Sequence, residues 1–329
     1  MNIEYANDQA VGDQRIAHRG VVHRKNLGQY HVHSGGCELP CTLSSRLNKP
    51  WNYPTPAGLD VGELEPVPVA VGDEVGFVKI GNGTGMIVEV LPRRNQLARQ
   101  AVVPGAHVFE QVIVSNVDQV MPVFSVASPT PKWRLLDRYL VAAEAVGLPS
   151  LICMTKLGLA RAEVGLDKML AEYQRIGYPV RLVSAMTGEG LDERQQSLQG
   201  KVSVLAGKSG VGKTSLLNAL QPGLGLRVQE VSRIEKGRHT TTHVEMFPLD
   251  FGGAVVDTPR VREFGLWDID WDELALFFPE MRPWVGRCKF KLDCHHDEEP
   301  GCAIRKAVMA GEISPHRYQS YLRLAEELP

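Results

Sequence analysis

One stretch constrains this chain more than any other: residues 201–220, KVSVLAGKSGVGKTSLLNAL. Val202, Val204 and Leu205 make a short apolar run of the kind that forms a buried strand. Gly207, Gly210 and Gly212 then punctuate a loop matching G-x-x-x-x-G-K-[ST], and a helical pattern follows. Glycines at these places let successive backbone N–H groups curl inward around phosphate oxygens. Lys213 brings a point charge to the β- and γ-phosphates and Thr214 a hydroxyl for Mg²⁺. The helix that opens there adds unpaired N–H groups and the positive end of its dipole. An α/β core is therefore expected, with Gly207, Lys208, Ser209, Gly210, Val211, Gly212, Lys213, Thr214 and Ser215 holding a nucleoside phosphate.

Two further segments follow in the order a phosphate-loop GTPase requires. A polar run, EKGRHTTTH at 235–243, precedes an apolar strand, GAVVDTP at 253–259, that ends in an aspartate. The first matches a switch whose threonine completes the Mg²⁺ shell, with Thr241 the expected ligand among Thr240, Thr241 and Thr242; the second brings Asp257 toward the metal. No glutamine follows the aspartate motif, so His239 is the expected water-orienting group, since a neutral imidazole can accept from or orient a water.

A base-reading motif of the form N-K-x-D is absent after Asp257. Upstream, however, the apolar run at 149–154 leads into Thr155-Lys156-Leu157-Gly158, and a second short strand leads into Ser184-Ala185-Met186-Thr187-Gly188. These are similar to the guanine-reading loops of GTPases, placed before the phosphate loop instead of after it. Thr155, Lys156, Gly158, Ser184 and Ala185 are the expected base contacts, and the core reads as circularly permuted.

With that order, and with SNVDQV at 115–120, LLDRYLVAAE at 135–144, SAMTGEGL at 184–191, GRHTTT at 237–242, VREFGLW at 261–267 and a cysteine cluster near the C-terminus, the chain resembles the RsgA (YjeQ) family of small ribosomal subunit biogenesis GTPases. The resemblance spans nearly everything after the first fifteen or so residues. It implies a GTPase that binds the small ribosomal subunit and its rRNA late in assembly and hydrolyses GTP to GDP, built from an N-terminal OB barrel, a permuted GTPase core and a C-terminal zinc domain. An assembly factor with weak or absent hydrolysis and relaxed base preference is the alternative.

Two residues depart from the family pattern. Gly158 stands where the family carries the aspartate that accepts hydrogen bonds from guanine, and Asp167 is a candidate replacement carboxylate. Arg260 stands in Asp257-Thr258-Pro259-Arg260 where the family has glycine, either hindering the switch or reaching the phosphates as an internal arginine.

Among the six cysteines, Cys37, Cys41 and Cys153 are expected to be packed thiols. Cys288, Cys294 and Cys302 lie within fifteen residues, interleaved with His295 and His296, in a segment poor in large apolar groups. Three thiolates and one imidazole make a closed tetrahedral zinc shell, and metal binding supplies folding energy to such a segment. Spacing leaves both histidines open; the family pattern implies His296. Beyond the site, the amphipathic run 315–328, with Tyr318, Tyr321, Leu322 and Leu324 as apolar anchors, is expected to pack on the core or to dock RNA.

The N-terminal part alternates in five short runs, GVVHRK, QYHVHS, CTLSS, EVGFVKI and GMIVEVLPR, separated by Gly, Pro and Asn. Five such strands suit a small Greek-key barrel, with Tyr30 and Phe77 the nearby candidates for base stacking. The expected division is a flexible tail over 1–17, the barrel over 18–104 with a long loop at 49–68, the GTPase over 105–276 and the zinc-binding helical domain over 277–329.

A formal net charge of −2 points away from a uniformly basic nucleic-acid binder. Local patches, Arg93 with Arg94 and Arg99, or Arg282, Arg287, Lys289 and Lys291, are the candidate RNA contacts. No apolar run has the length of a membrane span, and the first residues lack a signal-peptide core. A cytoplasmic monomer without membrane partners is the expectation.

Overall fold

The computed structural model describes residues 18–26, 28–47, 69–81, 83–102, 108–162, 165–224, 244–258 and 269–328. The expected tail at 1–17, the loop at 49–68, His239, Thr241, Arg260 and the VREFGLW motif lie outside the described residues.

The five alternating runs form β1 (His18–Asn26), β2 (Gln29–Ser34), β3 (Cys37–Leu43), β4 (Glu74–Lys79) and β5 (Gly85–Val90). They pair in the order β1-β2-β3-β5-β4, and β4 returns to β1, so the sheet closes on itself. This is a five-stranded barrel of OB type. The inward face buries Val22, Val32, Val75, Phe77 and Ile87, with the strict alternation broken where the register shifts in the β1–β2 and β4–β5 pairings. Tyr30 and Phe77, expected as stacking platforms, are 3% and 1% exposed and belong to this core. Cys41 and Cys153 are buried as expected, whereas Cys37 at the start of β3 is exposed.

An antiparallel hairpin, β6 (Gln96–Val102) and β7 (Val108–Ser115), follows and straddles the expected boundary at 104–105. The core then runs β8 (Gln119–Ser125), α1 (Trp133–Ala145), β9 (Ile152–Thr155), α2 (Leu166–Ile176), β10 (Val180–Leu182), α3 (Leu191–Leu198), β11 (Val202–Ala206), α4 (Lys213–Leu220), β12 (Glu245–Pro248) and β13 (Ala254–Asp257). The strand order is β10-β9-β8-β11-β13-β12, parallel throughout except at β12. Strands covered on both faces carry continuous apolar runs, and all seven residues of β8 and all four of β9 are buried. Val204 and Val256 pack with α1 and α2 on one face; Leu205 and Val255 pack with α3 and α4 on the other. The half-sheet β8 to β10 precedes β11 in the chain yet lies directly beside it, which is the permuted arrangement.

The barrel is fastened to this sheet by polar groups as well as by the β1–β12 pairing at Arg24 and Glu245. Asp73 is completely buried and accepts from Arg93 Nε at 2.7 Å, from Arg93 Nη2 at 2.9 Å and from Ser115 Oγ at 2.6 Å. Asp118 Oδ2 accepts from the backbone N–H of Val202 at 2.8 Å, at the start of the phosphate-loop strand. The SNVDQV motif therefore serves the junction between barrel and core.

The C-terminal region consists of three short 3₁₀ turns, α5 (Ala303–Met309) and α6 (Pro315–Glu326). Ser314 caps α6 by accepting from the His316 N–H, with Pro315 in the first turn. Tyr321 and Leu324 are buried; Tyr318 and Leu322 pack against the same cluster. Arg317, wholly buried, donates to Asp137 of α1 at 2.6 Å and to Glu280 at 2.6 Å, while Tyr173 of α2 donates to Asp137 at 2.7 Å. This network locks the C-terminal helices onto α1 and α2. Among the described residues no helix is long and apolar enough to cross a membrane.

Candidate functional site

The phosphate loop takes its shape from close backbone packing. A Cβ on Gly207 would lie 2.4 Å from the Val123 carbonyl oxygen, and Gly212, where α4 begins, sits at φ +96°. Both positions therefore exclude larger side chains. Lys213 reaches back to donate to the Gly207 carbonyl at 2.6 Å and lies 3.3 Å from that of Lys208, so the loop curls around its own ammonium. Burial lowers the Lys213 pKa, and the Asp257 carboxylate raises it in part. Asp257 is the counterpart: burial raises its pKa and Lys213 opposes the shift. Thr258 donates to the Leu205 carbonyl at 3.0 Å and pins the end of β13 beside β11. Oδ1 of Asp257 is buried with no hydrogen-bond partner. A buried carboxylate oxygen without a donor, beside Lys213 at the end of the phosphate loop, fits the shell of a hydrated divalent cation.

The first of the two upstream loops comes to this same place, and the second is tied to the first. Thr155 Oγ1 is hydrogen-bonded to the Val211 carbonyl and lies 3.2 Å from that of Phe124. Lys156, at φ +60°, donates through Nζ to the Gly210 carbonyl at 2.8 Å and to the Ser128 carbonyl. Fifty-odd residues of chain thus separate partners that touch. Leu157 N–H donates to Val183 O at 3.2 Å and Val183 N–H to Met154 O at 2.8 Å, which ties the first loop to the second. The second loop closes as a turn: Gly188 N–H donates to Ser184 O at 2.9 Å and Ser184 N–H to Glu189 O at 3.0 Å. Ser184 is buried, Ala185 half-buried and Met186 98% exposed.

Gly158 is exposed, and a Cβ built there meets no atom within 4 Å. No crowding accounts for the missing carboxylate. Asp167, in the first turn of α2, lines a shallow groove that also contains Leu157 and Glu189.

A second constellation lies in the C-terminal region. Cys288, Cys294, His296 and Cys302 are all buried, and their ligand atoms lie within 4.8 Å of one another. Cys288 Sγ is 3.9 Å from Cys302 Sγ and 3.4 Å from His296 Nδ1; Cys302 Sγ is 3.6 Å from His296 Nδ1. A tetrahedral ion with bonds of about 2.3 Å to sulfur and 2.0 Å to nitrogen spaces its ligands at about 3.5–3.8 Å; Cys288, His296 and Cys302 stand at close to that spacing, and Cys294 lies near enough to complete the shell. His295 instead lies against Trp271, its ring tilted by 36° with centroids 3.8 Å apart.

The basic patches are more engaged than their sequence suggests. Arg93 holds the buried Asp73, Arg94 pairs with Asp118 at 3.0 Å, and Arg282 pairs with Glu144. Arg287, Lys289 and Lys291 are exposed. The carbonyls of Val123 and Ser128, which shape the phosphate loop and receive Lys156, carry no side-chain signature and were not legible in the sequence.

A sequence profile of the RsgA GTPase family matches residues 90–267. The small ribosomal subunit biogenesis GTPase RsgA of Gemmatimonas aurantiaca is 46% identical over 263 residues, covering 79% of this chain and 84% of that protein. Among solved structures, YjeQ from Thermotoga maritima superposes with a TM-score of 0.71 at 32% identity, covering 94% of this chain and 98% of that one. YloQ, described as a circularly permuted GTPase, gives 0.67 at 30% identity over 96% and 98%.

Proposed function

This chain belongs to the RsgA GTPase family and is a small ribosomal subunit biogenesis GTPase, within which we propose the following division of labour. Residues 207–215 hold the phosphates of GTP, with Lys213 on the β- and γ-phosphates. Thr214 and Asp257 hold Mg²⁺, which when bound neutralises charge on the phosphoryl oxygens. Thr241 completes the metal's shell, and His239 orients the water that adds to the γ-phosphorus as the bond to the bridging oxygen breaks. Thr155, Lys156, Gly158, Ser184 and Ala185 receive the base. Cys288, Cys294, His296 and Cys302 bind one structural zinc, a closed site because four protein ligands leave no open position. The barrel over 18–104 and the zinc domain over 277–329 flank the GTPase core over 105–276 and carry the contacts to rRNA, and the protein works as a cytoplasmic monomer.

The observation that supports this reading most is the docking of Thr155 and Lys156 on the carbonyls of Val211 and Gly210. It brings residues 155–156 against residues 210–211 despite their order in the chain, as the proposed division requires. The exposed, carboxylate-free position at Gly158 favours a second reading of the base pocket alone, in which ATP competes with GTP.

Fluorescent GDP retention and GTP hydrolysis, with and without purified small ribosomal subunits, test the proposal. Wild-type protein is expected to retain nucleotide and to turn over faster with subunits, and Lys213→Ala to lose retention. Unchanged retention in Lys213→Ala removes the phosphate-loop assignment.

A further inference from the structure

The space between the start of α1 and the second half of α6 forms an open groove of about 510 Å³ that belongs to neither the nucleotide cleft nor the metal cluster. Its lining concentrates positive charge in a chain of net charge −2: Lys132, Arg134, Arg138 and Arg323 face one acid, Glu327, which pairs with Arg138. Lys132 and Arg134 are exposed. Arg323 is different, because its Nη1 is buried in the groove wall with no hydrogen-bond partner. A guanidinium N–H removed from water and left unpaired costs free energy, and a turn of the half-buried Arg323 side chain into the groove lets an anion oxygen recover it. The first turn of α1 contains no acidic residue, so no carboxylate neutralises this end of the groove. Trp133 lies in the same lining, half-buried and stacked on Tyr173 at 5.9 Å between centroids.

We propose that this groove is an RNA-binding site, in which Lys132, Arg134 and Arg323 take backbone phosphates and Trp133 offers a ring to a base. The charges match a polyanion, and a cation cluster beside an aromatic is the combination that holds single-stranded RNA. The inference rests on the small-subunit reading for its choice of polyanion. It adds to that reading a specific surface, built jointly by the GTPase core and the C-terminal helices. The Asp137–Arg317 network holds α1 and α6 together, so the groove is pre-formed.

The test uses the full chain and a fluorescein-labelled oligouridine of twelve nucleotides, with affinity read by anisotropy between 50 and 200 mM salt. Each phosphate contact to a single strand contributes about 0.7 to the slope of log K against log salt. The triple variant Lys132→Gln/Arg134→Gln/Arg323→Gln is expected to lower that slope by about 2 and to weaken binding at least about tenfold at 100 mM salt. A control with the same charge change elsewhere, Lys168→Gln/Lys201→Gln/Lys306→Gln, is expected to keep the wild-type slope. Retained GDP binding in both variants establishes that they are folded. Equal losses in both variants, an unchanged slope in the groove variant, or no binding of the oligonucleotide by wild type overturns the proposal. Sedimentation of the same proteins with small subunits separates the two readings: wild type that fails to co-sediment defeats the subunit assignment, whereas co-sedimentation with an unaltered groove variant defeats only the groove.

Discussion

Replacing Gly158 by aspartate restores the one side chain whose absence most affects base choice. The backbone accepts it: Gly158 is exposed, lies outside the left-handed region, and its Cβ direction is empty to 4 Å. The substitution therefore leaves stability within about 0.5 kcal/mol, as for most surface changes. A carboxylate here accepts two hydrogen bonds from guanine, N1–H and the 2-amino group. Hydrogen bonds to charged groups contribute about 1.5–3 kcal/mol each, so the ceiling for the pair is roughly 3–6 kcal/mol. Exposure of the position brings the expected gain down to or below the lower end, about 2–3 kcal/mol or roughly 30- to 200-fold in GTP affinity. Calorimetric titration with GTP, ITP and ATP measures it. ITP lacks the 2-amino group and is expected to gain roughly the square root of the GTP factor, while ATP gains nothing. An ATP gain equal to that of GTP, or no gain for either, refutes the assignment of 155–158 as the base loop.

Further expectations follow from the same structure. Purified protein is expected to carry one zinc per chain by elemental mass spectrometry, and Cys294→Ser to lose it together with the helical signal of the C-terminal region; metal-free protein with unchanged spectra contradicts the site. Asp137→Asn leaves Arg317 buried with one anionic partner, and breaking such a pair costs about 3–5 kcal/mol in urea unfolding; a change below about 0.5 kcal/mol, the scatter of surface substitutions, counts against the network's role. In the barrel, burial and the neighbouring His33 hold His23 down to about 4, against 6.5 in the unfolded chain. The unfolded state therefore binds the proton first, and stability present above pH 6.5 is lost as pH falls toward 4, by roughly 2–3 kcal/mol. His23→Gln is expected to flatten that acid limb, and an unaltered limb removes His23 as its source.

How much of this was legible depended on how local the signal was. The phosphate loop and the barrel strands are written in contiguous glycines and alternating apolar residues; β1, β2, β4 and β5 fall on the runs that the pattern marks out, whereas β3 begins four residues before its run and overlaps it only at 41–43. The cysteine cluster is compact in sequence and in space. Long-range polar pairs behave differently. Asp73 with Arg93, and Asp137 with Arg317, are separated by 20 and 180 residues, and a charged side chain carries no local mark of burial. Arg93 accordingly reads as part of a basic patch although its partner is wholly buried. Tyr30 and Phe77 read as stacking candidates, but an aromatic on a short barrel strand has equal claim to either face until closure decides. The base loops were legible only because their residue types survive permutation; what brings Lys156 to the phosphate loop is a pair of backbone carbonyls, which no sequence pattern encodes.

The most direct test of the central claim, that an inverted chain order rebuilds one nucleotide cleft, is a structure of the full chain with a non-hydrolysable GTP analogue and Mg²⁺. The triphosphate is expected inside residues 207–214, the metal between Thr214 and Asp257, and the guanine between Lys156 and the Ser184-Ala185 turn. A base lodged on the far side of α4, away from Thr155 and Lys156, contradicts it.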